Sequence, residues 1–475
     1  MRVITAIQAV RQRFGRTGEQ FYTWIQVPLS MLGAGVWLLG LSIFISSVFG
    51  FSMEWIIVCV GLTVMINSTL GGSWAVSASD FIQMLILMMV VLVMAYYSLS
   101  EIGGSNMMIE RFPVDSILGD NYNYPEVIIA WIVLVLMSQM VKTNHILGAN
   151  RYLTAKNSDQ AKKAALLASI LFIVGPMVWF IPPIVARILI PDMGVVFPEL
   201  NNPSDAAYIA VAFHVLPQGM MGLLIVGMFA ATMTSMDSGL NRNSGIIVKN
   251  IYVALIKPKA SEAEQLFVGK VFTVVLSVLI ILIALFYSTL KGLMLFDLMI
   301  SIGALLVLPV AVPLLLGLLI KRTPEWSGWS TTIVGLACSA AVKFHFHAEW
   351  FGQVFNMEML SRDIRYWNIT AAIVVNLTIP VLWFLGTMKF YREPVGERNI
   401  ELETFWNNQS TPVEHTDEEN DKEQYKLVGG LALAYGIFVF FMCLIPNPLE
   451  GRLIFLICGS ILMFLGYFLY KRSAV

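Results

Sequence analysis

The sequence predicts an all-α polytopic membrane protein with about twelve transmembrane helices, on three observations. Apolar residues make up 57% of the 475 and charged residues only 13%, against roughly half and a quarter in soluble domains; the mean hydropathy is +0.74. The apolar residues gather in runs long enough to cross a bilayer, which takes about 20 residues at about 1.5 Å each. Lysine and arginine alternate between the loops in one register. A soluble reading would have to bury every one of these runs as a core helix.

In chain order the runs lie near 22–48, 53–70, 79–99, 126–145, 161–191, 208–238, 266–289, 294–320, 328–345, 366–387, 426–444 and 451–470. With a cytoplasmic N-terminus and one crossing per run, all but seven of the 30 Lys and Arg fall on the inside. The seven are Arg111, Arg187, Lys291, Lys343, Arg362, Arg365 and Arg452. A single miscounted helix would invert every later loop, so the agreement of all twelve crossings supports the register.

Residues 1–20 are polar and basic with no apolar core of a secretory signal, and are expected to form a cytoplasmic loop. The helices of 21–322 form one group and those of 323–391 an additional one. An acidic cytoplasmic linker (392–425, including Asp417, Glu418, Glu419 and Asp421) follows, then a C-terminal transmembrane pair (426–475) read as peripheral packing. The longer connections are 100–125 and 346–365 outside, and 239–265 and 388–425 inside. Cys59, Cys338, Cys443 and Cys458 all lie in apolar runs with no metal-ligand spacing, as small buried residues do. No basic nucleic-acid module is present.

Glycine and proline mark particular runs. Pro176, Pro182 and Pro183 fall in the fifth, Gly219, Gly222 and Gly227 in the sixth, and Pro309 and Pro313 in the eighth. Kinks and close helix contacts explain such residues in any membrane bundle. The sharper alternative is that they mark hinges and broken helices around a midplane site.

The stretch 230–252 carries the most chemistry. It closes the sixth run with many oxygen-bearing side chains. At about 100° per residue, Ala231, Thr234, Ser235 and Ser238 share one arc of about 100°, and Asp237 lies about 60° beyond Thr234. Oxygens on one face can replace the water of a dehydrated hard cation. The competing reading is that these hydroxyls bond back to their own helix or pack between helices. Asp237, an intramembrane carboxylate, is a functional candidate by default, and could equally cap a helix end or pair with Arg242. Asp80 opens the third run, where an acid is also a routine N-terminal cap.

Four blocks resemble the sodium:solute symporter family in order. Thr5 to Gly15, ending Arg13-Phe14-Gly15, resembles the family's Thr…Glu…Arg-Phe-Gly loop, with Gln8 where Glu is usual. Gly71-Gly72 through Asp80-Phe81-Ile82-Gln83 resembles its Gly-Gly…Thr-Asp…Gln block, with Ser79 for Thr. Asn150 to Lys156 resembles its Gln-Arg…Ala-Lys loop, and 230–252 its serine-rich helix ending Leu-Asn-Ser…Asp-Ile-Tyr.

The resemblance implies a LeuT-like (APC-type) fold of two inverted five-helix repeats, with substrate between their broken first helices. It implies a main Na+ site from the carbonyl of Ala231 and the hydroxyls of Thr234 and Ser235. A second cation site would use Asp80, Thr234, Asp237 and Ser238, Asp237 standing where better-known members carry a hydroxyl; that exchange leaves proton coupling open. Substrate positions would match Ser138, Val141 and Phe172, which are less polar than in sugar-transporting members. The Arg-Phe-Gly block normally follows the first repeat's second helix. The expectation is therefore an N-terminally truncated chain, with the broken first helix absent and only half of the cation cage present.

The function expected is Na+-coupled symport of a small organic solute, with Na+ as coupling ion and the lipid bilayer as surroundings. The location expected is the bacterial cell membrane, multi-pass, with both termini cytoplasmic. A non-transporting membrane sensor or scaffold, or an inactive fragment, is the alternative that truncation favours. A membrane enzyme lacks support, because no nucleophile–base pair or metal-ligand cluster appears; His145, His214, His345, His347 and His415 form no metal-site pattern.

Overall fold

The computed structural model describes residues 5–113, 124–149, 152, 155, 157–198, 200–290, 294–412 and 419–472. Side chains of 71–82, 125, 149, 419–421 and 424 also lie outside the description. Among the described residues the regular structure is helical throughout. Among the described residues eleven helical spans are long and apolar enough to cross a membrane, and the chain is a multi-pass membrane protein. It folds as two compact units, each assembled from three separate stretches of sequence.

The first unit holds residues 1–33, 113–165 and 295–415. It contains the start of α1 (Ala6–Phe49), α3 (Pro125–Thr143), α9 (Leu295–Ile302) and α10 (Leu308–Leu319). It also contains α11 (Ser327–His345), α12 (Ser361–Thr387) and α13 (Glu397–Ser410). The eighth predicted run is α9 and α10 joined through a π-helical turn, Gly303–Val307. Its apolar centre is Ala304, Leu308, Val312, Tyr366, Ile369, Ala372 and Ile373, with Trp131, Leu134, Val135 and Val141 of α3 packed against it.

The predicted ninth run forms as α11, the one predicted span that is not among the eleven apolar ones. Its interior is studded with hydroxyls, and these point into protein. The hydroxyls of Tyr22 and Thr332 lie 3.0 Å apart, Trp383 Nε1 donates to Ser330 at 3.2 Å, and Asn376 donates to Ser339 at 2.7 Å. Neighbouring helices satisfy what hydrocarbon could not, so α11 runs beside α12 without an apolar coat of its own.

The stretch 1–20, read as a loop, is helical from Ala6, with one break at Gly15 (φ 70°, ψ −178°) that glycine alone adopts easily. The Arg-Phe-Gly motif sits at this break. Arg13 is fully buried and donates from Nε to Gly317 O (2.9 Å) and from Nη2 to Ile320 O (2.7 Å) and Thr323 Oγ1 (2.6 Å). A guanidinium thus sits on the C-terminal carbonyls of α10, where a helix dipole favours positive charge. The Phe14 ring fills the space left by Gly317 and Gly328: a Cβ on either would come within 2.5 and 2.9 Å of it.

Part of the expected acidic linker is the ordered helix α13. Arg398 donates to the carbonyls of Gln12 and Arg13, each at 2.9 Å, and so caps the turn that Gly15 interrupts. It also pairs with Glu325 and Glu401. Leu402 and Phe405 are buried beneath it.

The second unit holds 34–112, 166–294 and 416–475. α2 (Met53–Ile102) carries two candidate spans, Met53–Leu70 and Gln83–Ile102. The fifth predicted run is interrupted at Phe180 into α4 (Ser158–Trp179) and α5 (Ile181–Leu189), with Pro182 and Pro183 opening the latter.

The sixth run departs most from expectation. It breaks into α6 (Ala207–Val215) and α7 (Met220–Ile246) at Pro217 and Gly219 (φ 86°). α7 then continues as a π-helix, Ile247–Ile256. Much of the inside loop expected at 239–265 is therefore helix. Asn243, Ser244 and Asn250 in it are buried, and Ser244 donates to Gly269 O of α8 (Glu262–Ser288) at 2.6 Å.

The last two helices, α14 (Glu419–Phe441) and α15 (Leu449–Arg472), meet through backbone-to-backbone contact. A Cβ on Gly429, Gly459 or Gly466 would lie 2.5–2.6 Å from the backbone nitrogen of the partner helix. Small residues permit such approach between membrane helices.

Candidate cation site

α7 packs closely on α2, and Gly227 allows it: a Cβ there would meet Leu87 Cδ1 at 3.2 Å. On the next turns, Asp237 is buried at 2% exposure. Its Oδ2 accepts from Asn67 Nδ2 at 2.5 Å and its Oδ1 from the Ser68 hydroxyl. Thr234 Oγ1 donates to Gln83 Oε1 at 3.1 Å. Residues at the end of one candidate span and the start of the next thus converge on a single turn of α7.

Two of the predicted blocks therefore meet, because Gln83 closes the Asp80 block and Thr234 lies in the serine-rich one. Asp80 stands three residues before Gln83, and its side chain lies outside the described residues. The same holds for the block 150–156, of which only Tyr152 and Ala155 are described.

Ser235 donates back to Ala231 O at 3.3 Å on its own helix, the local bond that serine makes when nothing else claims it. Ala231, Ser235 and Ser238 are exposed and Thr234 is half-buried. The predicted arc is thus an open row of oxygens on one face of α7, edged by a buried carboxylate. Hydroxyls that carry only weak local bonds can turn to a cation at little cost, since each keeps free lone pairs.

The sequence alone did not reveal Asn67 and Ser68. Both lie in an apolar run where a lone amide or hydroxyl is unremarkable, and only the fold pairs them with a carboxylate 169 residues away. In the structure two neutral donors, Asn67 and Ser68, reach the Asp237 carboxylate.

The predicted substrate residues separate by unit. Ser138 and Val141 lie one turn apart on α3 in the first unit; Ser138 is buried and Val141 packs on the apolar centre. Phe172 belongs to α4 in the second unit and is 68% exposed.

Residues 3–335 match the profile of the sodium:solute symporter family. The chain is 36% identical over 195 residues to the pig "Sodium/myo-inositol cotransporter 2", covering 39% of this chain and 29% of that protein. The human protein of that name is 31% identical over 276 residues, covering 55% and 40%. The bovine "Sodium/myo-inositol cotransporter" is 24% identical over 426 residues, covering 79% and 58%. The chain thus spans less than two thirds of the length of these relatives. Among solved structures, a Na+-coupled sialic acid symporter in a substrate-bound outward-open state is similar with a TM-score of 0.55 and 17% identity, over 80% of this chain and 77% of that one. That likeness is one of fold.

Proposed function

Because this chain belongs to the sodium:solute symporter family, we propose that it takes part in Na+-coupled symport of a small organic solute by alternating access. The observation that carries the reading is the open oxygen row of α7 set beside the Asp237 carboxylate. The main Na+ position would use the carbonyl of Ala231 with the hydroxyls of Thr234 and Ser235. A second cation position would use Asp80, Asp237 and Ser238, with Asp237 oriented by Asn67 and Ser68. Substrate would meet Ser138 and Val141 of α3; Phe172, expected with them, belongs to the second unit. We place both termini on the cytoplasmic side from the distribution of lysine and arginine. The bacterial cell membrane rests on the sequence reading alone, since the relatives above are animal proteins.

A proton-coupled alternative would ask Asp237 to exchange a proton. Both its oxygens already accept hydrogen bonds, an arrangement suited to an acceptor-only carboxylate, so Na+ is favoured. A sensor without turnover would bind Na+ and move nothing.

The test is Na+-dependent thermal stabilisation of the purified chain, followed by tracer Na+ flux in proteoliposomes. Na+ is expected to raise the melting temperature above an equal concentration of K+, and Ser235→Ala to abolish the difference. Equal melting in the two salts would end the cation-site reading. Na+ stabilisation with no solute-stimulated flux would favour the sensor.

A further inference from the structure

α3 carries a lysine, Lys142, on which the cation site makes no call. Its depth follows from its neighbours. The Trp131 ring lies tilted against Tyr366 with centroids 4.6 Å apart, which sets α3 against the first turns of α12. From Trp131 to Lys142 is about 16 Å of helix, and from Tyr366 to Asn376 about 15 Å. Asn376 is the middle of α12 and donates to Ala304 O at 3.1 Å. Gly303, the neighbour of Ala304, touches Lys142: a Cβ there would lie 2.8 Å from Nζ. The ammonium therefore lies level with the middle of α12, while the Lys142 backbone belongs to the last turn of α3.

The backbone is irregular at the same level. α3 ends at Thr143, and a short 3-10 turn, Ile146–Ala149, follows. On the other side Gly303 opens the π-helical turn that interrupts α9 and α10. Broken and bulged helices at mid-membrane are where transporters expose backbone and bind solutes.

Among the described residues no carboxylate lies within ion-pair distance of Lys142, and its Nζ makes no hydrogen bond. Asp297, the carboxylate of α9 six residues before Gly303, is taken by Arg365. An unpaired cation at this depth is costly and marks a pathway or a partner. One turn earlier on the same face of α3 stands the buried Ser138 hydroxyl, and a helical side chain leans toward that earlier turn.

We infer that Lys142 is the residue that selects the solute, and that the solute is a carboxylate. Its anion would neutralise the ammonium at the α3 break, while Ser138 offers a hydrogen bond to the neutral part of the molecule. Gly303 keeps the space beside Nζ open. A neutral polyol would leave the ammonium unpaired and bind less well. The inference rests on the transport reading and sharpens it to a substrate class.

The test uses the purified full chain in Na+. Melting is followed with acetate, lactate, glutamate and gluconate, each beside its neutral counterpart (acetamide, lactamide, glutamine and glucitol) and with myo-inositol. At least one carboxylate is expected to stabilise the protein where its counterpart does not. Lys142→Gln should weaken that carboxylate about tenfold or more, the loss of a charged hydrogen bond. Gly303→Ala, which crowds Nζ without removing it, should weaken it less. Equal response to neutral counterparts, unchanged affinity in Lys142→Gln, or no carboxylate response at millimolar concentration would each overturn the proposal. Melting in Na+ against K+ without solute is recorded for every variant. If that difference survives while carboxylate selectivity fails, this inference alone falls; if the unmodified chain lacks it, the transport reading falls as well.

Discussion

The Arg13 clamp and the oxygen row of α7 are both polar constructions inside a membrane protein, and they are built in opposite ways. Arg13 is buried, its guanidinium divided among Gly317 O, Ile320 O and Thr323 Oγ1, and it stacks 5.0 Å above Phe14 and 5.5 Å from Trp406. Its donors serve acceptors about 300 positions away, so it ties the two ends of the first unit together. Along α7, Ser235 bonds weakly to its own helix and Ser238 is exposed. The first arrangement is closed, and a ligand could only enter by breaking it. The second is open and has oxygens to lend. Asp237 stands between these extremes, with its charge buried and both oxygens occupied by α2.

The largest break of this contrast should come from Arg13→Ala. Removing a buried charged donor strands two carbonyls and the Thr323 hydroxyl, and charged hydrogen bonds contribute about 1.5–3 kcal/mol each without adding fully. A loss of about 3 kcal/mol or more is expected, read as a drop in melting temperature and in monodisperse yield. Arg13→Lys should recover little, because a point ammonium cannot replace the planar fork. If Arg13→Ala melted like the unmodified chain, the clamp would not be holding the unit.

Asp237→Leu should rank second. It leaves Asn67 and Ser68 without their acceptor in a buried setting, at about 1–3 kcal/mol for unmet polar groups. Na+ stabilisation should also fall, since the carboxylate edges the oxygen row. A double-mutant cycle of Asp237→Leu with Ser68→Ala separates the two effects. A near-zero coupling energy would show that the Ser68 contact contributes nothing.

The C-terminal pair supplies a control that touches neither construction. Gly459→Leu places a side chain where even a Cβ would lie 2.5 Å from the Phe440 nitrogen. Overpacking of this kind costs about 1–3 kcal/mol and should separate α14 from α15 in cross-linking. The Na+ response should persist; its loss would make the pair more than peripheral packing.

How far each construction was legible in the sequence follows from the range of its interactions. Apolar length is a local property, so the spans could be read directly, and helical angle alone placed Ala231, Thr234, Ser235 and Ser238 on one face. The charge-rich reach from Arg242 to Ile256 reads locally as a loop. It is helix because Asn243, Ser244 and Asn250 are buried by tertiary packing. α11 was legible as the run 328–345, but its hydroxyls become tolerable only beside Tyr22, Asn376 and Trp383. The acidic stretch after Tyr391 reads as solvated, yet α13 is pinned by Arg398. The partners of Arg13 lie 304–310 residues away and those of Asp237 169 and 170, and they leave no trace in local pattern. Their motifs could be noticed in the sequence, but only the fold explains them.

The smallest stability effect should accompany the largest functional one, at Ser235. Its single bond is a local one of 3.3 Å to Ala231 O, on an exposed face. Ser235→Ala therefore removes little structure, and exposed helical serine is if anything a poorer helix former than alanine. Melting in K+ should move by less than about 0.5 kcal/mol equivalent, within the range of ordinary surface substitutions. Melting in Na+ should lose the increment that the unmodified chain gains, because one of few oxygen ligands has gone. Ser238→Ala, further along the same arc, should reduce the increment less. The opposite outcome, a K+ melting point that falls while the Na+ increment stays whole, would make Ser235 a packing residue. The open row of α7 would then be architecture, as the Arg13 clamp is.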